Sequence, residues 1–294
     1  MNKIVERDFI IGDEWVYFKL YTGYSLSDSI LIRDISTLVK KLKDMGIIRK
    51  WFFIRYADPD YHLRLRLLVK KKEYIGTVIN EMNEKFKWHF NQGVIWKYQM
   101  DSYERELTRY GEETIDLTET LFNHDSELCL NILNILNSYN SEDLRWLIAL
   151  RCIDYYLDSF GVTESNKIKF VEAAKNSLNK VYSKTSKSLT PQLNRKYKEE
   201  RKKINDIFDD FAYDGELIIS LHEIFNENKI KNITHEIIIK NGNNNTEISS
   251  YIHMCLNRLF KTRNTFNEYV CYDLLFRFYM EKKYTENKIE RNKK

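Results

Sequence analysis

A chain of 294 residues that is 43% hydrophobic and 14% aromatic has enough apolar surface for a sizeable core, which excludes a disordered or fibrous polypeptide. Its 47 basic and 43 acidic residues leave a net charge of only +4, which argues against a dedicated nucleic-acid binder; basic runs such as 195–203 are interleaved with glutamates, as on a solvated helix face. No window approaches the about eighteen continuous apolar positions of a membrane span, and Met1 to Asp8 lacks a signal-peptide core, so a cytoplasmic protein without a membrane partner is expected.

In chain order, Trp15-Val-Tyr-Phe-Lys-Leu-Tyr21 reads as a strand. Ser25-Leu-Ser-Asp28 then offers a capped helix start, with apolar residues recurring at Ile30, Leu31, Ile35, Leu38 and Leu42 up to a stop at Gly46. Ile47 to Tyr56 is aromatic and β-branched, Asp58-Pro59-Asp60 is turn chemistry, and His62 to Val69 is a second strand, so the pair reads as a hairpin. A helix over 71–89 and a strand over 94–100 complete the order β-α-β-β-α-β, a ferredoxin-like split βαβ unit in which the strand after the hairpin turn is central.

From Gly111 onward the periodicity is helical, with helices expected over 113–137, 141–160, 164–187, 191–211, 214–227, 246–262 and 264–284. Only two prolines occur, so helix interiors should be unbroken. The run 236–240 reads as an extra strand, and 241–246 as a loop with Asn245 or Thr246 capping the next helix. The expected fold class is α+β: a ferredoxin-like part over 1–110 and a mainly helical part over 111–294 folded over its sheet as one compact domain. The cysteines Cys129, Cys152, Cys255 and Cys271 have neither paired CxxC spacing nor disulfide-scaffold density, and the six histidines show no metal-ligand spacing. Buried thiols are expected, with no metal and no cofactor.

The hairpin's second strand puts His62, Arg64 and Arg66 on one face and Leu63, Leu65 and Leu67 on the other. Two arginines at i and i+2 stand roughly 7 Å apart and repel by about 0.6 kcal/mol in water, but by about 2.4 kcal/mol at an effective dielectric of 20. If that face lines a pocket, an anion belongs there. Directly after the fourth strand, Glu106 and Arg109 are neighbours at i and i+3 if the segment is helical; alone they read as a surface ion pair. His253 and Asn257 fall one turn apart on a largely apolar helix, where a histidine is more often a core residue.

Four ordered blocks, Trp15–Tyr21, Phe52-Phe-Ile-Arg-Tyr-Ala-Asp-Pro59 with His62-Leu-Arg-Leu-Arg66, Tyr103-Glu-Arg-Glu-Leu-Thr-Arg-Tyr-Gly111, and His253-Met with Asn257-Arg258, together resemble the elimination domain of class I lanthipeptide dehydratases. That family also occurs as short stand-alone proteins in thiopeptide-type bacteriocin biosynthesis. The resemblance implies an enzyme, a lyase that expels glutamate from glutamylated serine or threonine of a ribosomal precursor peptide, leaving dehydroalanine or dehydrobutyrine. Such a β-elimination needs a base for the α-proton, stabilisation of an enolate, and cations for the departing carboxylate. The implied catalytic residues are Arg64, Arg66, Glu106, Arg109 and His253, with substrate binding by His62 and Asn257. Arginines suit the leaving carboxylate, because the fork binds bidentately and keeps its charge. Glu106 would orient an arginine or meet the glutamyl ammonium. His253 would transfer the proton or only hydrogen-bond the enolate. His62 is equally a site wall or a structural hydrogen bonder, and Arg55 and Asp58 are expected to hold the hairpin.

Complete dehydratases of this type carry a glutamylating portion ahead of the elimination domain, whereas here the matching sequence begins within the first twenty residues. The expected partners are therefore a precursor peptide, leader plus glutamylated core, and a separate glutamylating component. Whether the chain forms a homodimer, and which precursor it serves, the sequence does not decide. Two rivals remain: a pyridine synthase joining two dehydroalanines by a formal [4+2] cycloaddition, and a non-catalytic leader-peptide-binding module.

Overall fold

The computed structural model describes residues 5–182, 186–209, 215–227, 229–242 and 247–292. It divides into two compact units that interleave along the chain. The first comprises Met1–Asn134, Asn228–Glu247 and Asn257–Thr262; the second comprises Ile135–Glu227, Ile248–Leu256 and Arg263–Lys294.

In the first unit a short strand β1 (Asp8–Phe9) precedes β2 (Trp15–Thr22). A helical run follows as α1 (Ser27–Ser29), a π-helical stretch over Ile30–Ile35, and α2 (Ser36–Asp44). Next come the hairpin β3 (Ile48–Ala57) and β4 (Tyr61–Val69), α3 (Ile75–Asn91), β5 (Ile95–Asp101) and the short β6 (Tyr103–Glu104). From β2 to β5 the order is strand, helix, strand, strand, helix, strand, as the periodicity predicts. The main sheet has the antiparallel order β3-β4-β2-β5, while β1 pairs with β6. Strand β4 is thus central. Leu63, Leu65 and Leu67 on one of its faces are fully buried, as are Val78 and Met82 of α3.

The expected capping of the first helix is not formed. Its N-cap position is Leu26, with no side-chain cap hydrogen bond, and Asp28 instead pairs with the buried Arg55 at 2.6 Å. An ion pair to a buried guanidinium outweighs a cap worth about 1 kcal/mol. The predicted stop at Gly46 is real: φ is +69°, and bonds from Gly46 N to Lys43 O and from Ile47 N to Leu42 O close the helix in the pattern that favours glycine.

After α4 (Leu107–Tyr110) the described chain is helical: α5 (Ile115–Tyr139), α6 (Asp143–Ser159), α7 (Glu164–Val181), α8 (Ser186–Phe208), α9 (Gly215–Asn226), α10 (Lys229–Lys240), α11 (Ile248–Leu259) and α12 (Asn264–Asn292). Two expectations change. The run 236–240 is the end of α10, where Ile230, Thr234 and Ile237 are buried at helical spacing. Pro191 lies inside α8 and forgoes one intrahelical bond, rather than opening the helix. The predicted caps at Asn245 and Thr246 lie outside the described residues.

Among the described residues the outer edge of β3 has no strand neighbour, and side chains complete it. Trp51 N donates to Asn123 Oδ1 at 3.0 Å and Phe53 N to Ser126 Oγ at 3.3 Å, both from α5. Asn257 of α11 accepts from Arg55 N and donates to Arg55 O, each at 3.0 Å, and Arg258 Nε donates to Phe53 O at 2.8 Å. Residues well beyond 110 therefore belong to the sheet's own unit. Both arginines at this edge are structural. Arg258 pairs with the buried Asp125 at 2.6 Å. Arg55 also donates to the Arg258 carbonyl and to Ser27, in keeping with its expected role of holding the hairpin.

In the second unit α12 packs on α6, α7 and α8 around Ile148, Ile153, Leu157, Val171, Leu274 and Leu275, all fully buried. The buried Lys167 is met by Asp154, Asp158 and Glu164 at 2.7 to 3.0 Å, so it is a paired core cation. The four cysteines are buried thiols. Among the described residues no helix is long and apolar enough to cross a membrane.

Candidate functional site

The register of β4 with its neighbours decides what surrounds its arginines. Arg66 lies opposite Tyr17 on β2 and Phe52 on β3, and these cross-strand partners share its face. Its guanidinium carbon sits 4.6 Å from the Tyr17 ring centre, 4.6 Å from that of Tyr103 and 5.3 Å from that of Phe52. Arg66 is only 8% exposed. Among the described residues no carboxylate forms an ion pair with it, and its buried Nε has no hydrogen-bond partner. Burial pulls its pKa down from 12.5, opposed by the nearby Tyr103 and Tyr17, yet a guanidinium starting that high stays charged. A caged cation with an unused donor is a receptor for an anion.

Arg64 is held differently. Its guanidinium lies 3.5 Å over the Tyr56 ring, and its Nε donates to His62 Nε2 at 3.1 Å. His62 Nδ1 lies 2.8 Å from the Asp60 carbonyl. A carbonyl only accepts, so Nδ1 carries the proton and Nε2 accepts from Arg64: a single neutral tautomer. Burial, reinforced by the charges of Arg64 and Lys19 and opposed by the Asp60 hydrogen bond, holds the His62 pKa below its ordinary 6.5. His62 is fully enclosed, with both ring nitrogens bonded inside the protein. Of its two open readings, this geometry is that of the hydrogen bonder, and what it aims is Arg64. Lys19 faces Arg64 across the strands and is ion-paired with Asp101, so three cations share this face with one carboxylate.

The segment after β5 is tied down at each end. Phe9 stacks on Tyr103 at 5.9 Å. The Tyr103 hydroxyl donates to Glu119 Oε1 at 3.1 Å, and Arg105 reaches the same carboxylate at 2.6 and 2.7 Å as well as Asp116 at 2.8 Å. Gly111, at φ +75°, ends the short α4 where a Cβ would crowd Thr114 Oγ1 at 3.1 Å. Held this way, Glu106 and Arg109 pair at 2.9 Å while both remain about half exposed, and Glu106 acts electrostatically on Arg66.

His62, Arg64, Arg66, Glu106 and Arg109 are thus all placed in the first unit. His253 belongs to the second. It is a half-exposed residue of α11 whose Nδ1 lies 2.7 Å from Oε2 of the buried Glu268. Asn257, one turn on, accepts from Arg55 N and donates to Arg55 O, so its amide seals the strand edge. Tyr17, Phe52, Tyr103, Lys19 and Glu268, which stand beside these side chains, are not singled out by sequence pattern as site residues. Lys19 carried a signal, a lone lysine in an apolar strand. The others read as ordinary core aromatics or helix-surface acid.

Residues 15–279 match the family described as lantibiotic biosynthesis dehydratase C-term. The chain is 26% identical over 226 residues to the nisin biosynthesis protein NisB of Lactococcus lactis subsp. lactis, covering 76% of this chain and 21% of that protein. It spans 21% to 24% of the length of the curated relatives it matches. Its fold resembles that of the tRNA dependent lantibiotic dehydratase MibB from Microbispora sp. 107891, with TM-score 0.71 and 18% identity over 90% of this chain and 28% of that one. It also resembles the pyridine synthase TbtD from thiomuracin biosynthesis, with TM-score 0.66 and 9% identity over 92% and 98% of the two chains. At these identities the two solved structures bear on fold alone.

Proposed function

We propose, since this chain belongs to the lantibiotic biosynthesis dehydratase C-terminal family, that it eliminates glutamate from glutamylated serine or threonine of a ribosomal precursor peptide. The α C–H bond breaks as a base takes the proton. The electron pair forms the α,β double bond by way of an enolate, and the β C–O bond breaks to release the glutamyl carboxylate. In this reading Arg64, Arg66 and Arg109 stabilise the enolate oxygen and the departing carboxylate, Glu106 orients Arg109, and His253 handles the proton. The sheet is read as a ferredoxin-like unit. The peptide must reach this site already glutamylated, and the reaction runs in the cytoplasm.

The observation that carries the proposal is Arg66: an 8% exposed guanidinium in a three-ring cage, with a donor left over. Burying an unpaired cation costs several kcal/mol, and a carboxylate leaving group would both repay that cost and use the donor. A second reading, pyridine formation, draws on the fold likeness to TbtD over nearly the whole of both chains.

Mass spectrometry of purified protein with a glutamylated precursor peptide separates the readings. Loss of the glutamyl mass with gain of a dehydro residue supports elimination, whereas an intact ester sinks it. Turnover of a peptide bearing two dehydroalanines favours the cycloaddition, and binding without change favours a leader-binding module.

A further inference from the structure

The geometry points to Glu268 as a positioning residue that fixes the tautomer of His253 and supports the ring once it has gained a proton; this rests on the elimination reading for its chemical consequence. Glu268, in the first turns of α12, is 6% exposed, and its Oε2 lies 2.7 Å from His253 Nδ1. Among the described residues no lysine or arginine pairs with it. A buried carboxylate without a positive partner is disfavoured; the imidazole meets this one at 2.7 Å, and the Tyr272 phenol also lies against it. Burial foremost, and then the Glu268 charge, push the phenol of Tyr272, one turn along α12, far above its ordinary range.

An ionised carboxylate only accepts, so His253 carries its hydrogen on Nδ1 and exchanges protons with substrate through Nε2. Glu268 is buried while the His253 side chain is 41% exposed, which lets a peptide reach the ring and keeps the carboxylate from it. When the α C–H bond breaks, its proton forms an N–H bond at Nε2 and the electron pair moves to the enolate, then expels the glutamyl carboxylate. The positive charge that appears on the ring faces Glu268. If instead His253 only donates to the enolate oxygen, the same carboxylate supports the donating form. In both cases the acid acts through the histidine, as a carboxylate does behind a catalytic imidazole elsewhere.

The test uses the full chain with Glu268→Gln and Glu268→Asp, beside the wild type. Nitrogen NMR of the wild-type His253 ring should show the hydrogen on Nδ1 in the neutral form. Glu268→Gln should redistribute it, lower kcat on a glutamylated peptide about 10- to 100-fold and leave KM within about twofold, since Glu268 does not bind substrate. Glu268→Asp should recover part of the loss. A wild-type ring protonated on Nε2, or a Glu268→Gln enzyme with unchanged kcat and ring signals, overturns the assignment. The NMR result is obtained without turnover, so an intact ester would refute elimination while the pairing is still judged. A protein that eliminates but has an Nε2-protonated ring refutes the pairing alone.

Discussion

Replacing Arg66 with methionine should separate stability from activity in a way no other arginine of the sheet allows. Burying a guanidinium costs several kcal/mol, and an orphaned donor such as its Nε adds about 1–3 kcal/mol. Against this stand three ring contacts, at 4.6, 4.6 and 5.3 Å, worth about 1–2 kcal/mol each when desolvated. With no ion pair to lose, and with a thioether able to contact the same rings, Arg66→Met should leave stability unchanged or raise it by about 1–2 kcal/mol. Arg258→Met is the control: it strips the buried Asp125 of a guanidinium at 2.6 Å and should cost about 3–5 kcal/mol. Urea denaturation midpoints give the stabilities, and the glutamylated-peptide assay gives the activity, which should fall about 10²- to 10³-fold in Arg66→Met. If Arg66→Met destabilises as much as Arg258→Met, Arg66 is a strut and the anion-receptor argument fails.

Asn257→Ala removes two main-chain bonds of 3.0 Å and leaves two strand-edge groups orphaned, so it should lower stability by about 2–3 kcal/mol; unchanged stability with weakened peptide binding would restore a substrate contact for this amide. His62, whose folded pKa is depressed below 6.5 chiefly by burial, contributes stability that is full above 6.5 and is lost as pH falls through the depressed value, because the unfolded ring accepts a proton that the folded ring resists. Denaturation midpoints at pH 7.5 and pH 5 should therefore diverge less in His62→Gln than in the wild type, and equal divergence would show that the His62 tautomer is not what the fold enforces.

What the sequence disclosed follows the range of the interactions. The hairpin, the stop at Gly46 and the split of β4 into a leucine face and an arginine face depend on neighbours a few residues away. The run 236–240 was ambiguous for the same local reason: three isoleucines in a row fit a strand or one turn of a buried helix. Which arginines are paired was not legible, because Arg55 finds Asp28 and the Arg258 carbonyl, and Arg258 finds Asp125, across 27 to 203 residues. Local sequence sets Arg55 in the hairpin and Arg64 and Arg66 on one face of β4, but carries no sign of which has an acid beside it. Only the tertiary neighbours show that the first is saturated, the second is aimed by a histidine, and the third is left without an acid. Likewise, nothing near Asn257 announces that its amide will serve as a substitute strand.

That substitute strand also has a timetable. Synthesis proceeds from the amino terminus, so β3 exists some two hundred residues before Asn257 and Arg258 can meet Arg55 and Phe53. Until they emerge, a strand rich in tryptophan and phenylalanine has part of its outer main chain open, the condition under which nascent chains pair with one another. The last part of the first unit to be translated is therefore what ends this sheet's exposure to self-association, and fragments stopping short of residue 257 would keep the hazard for good.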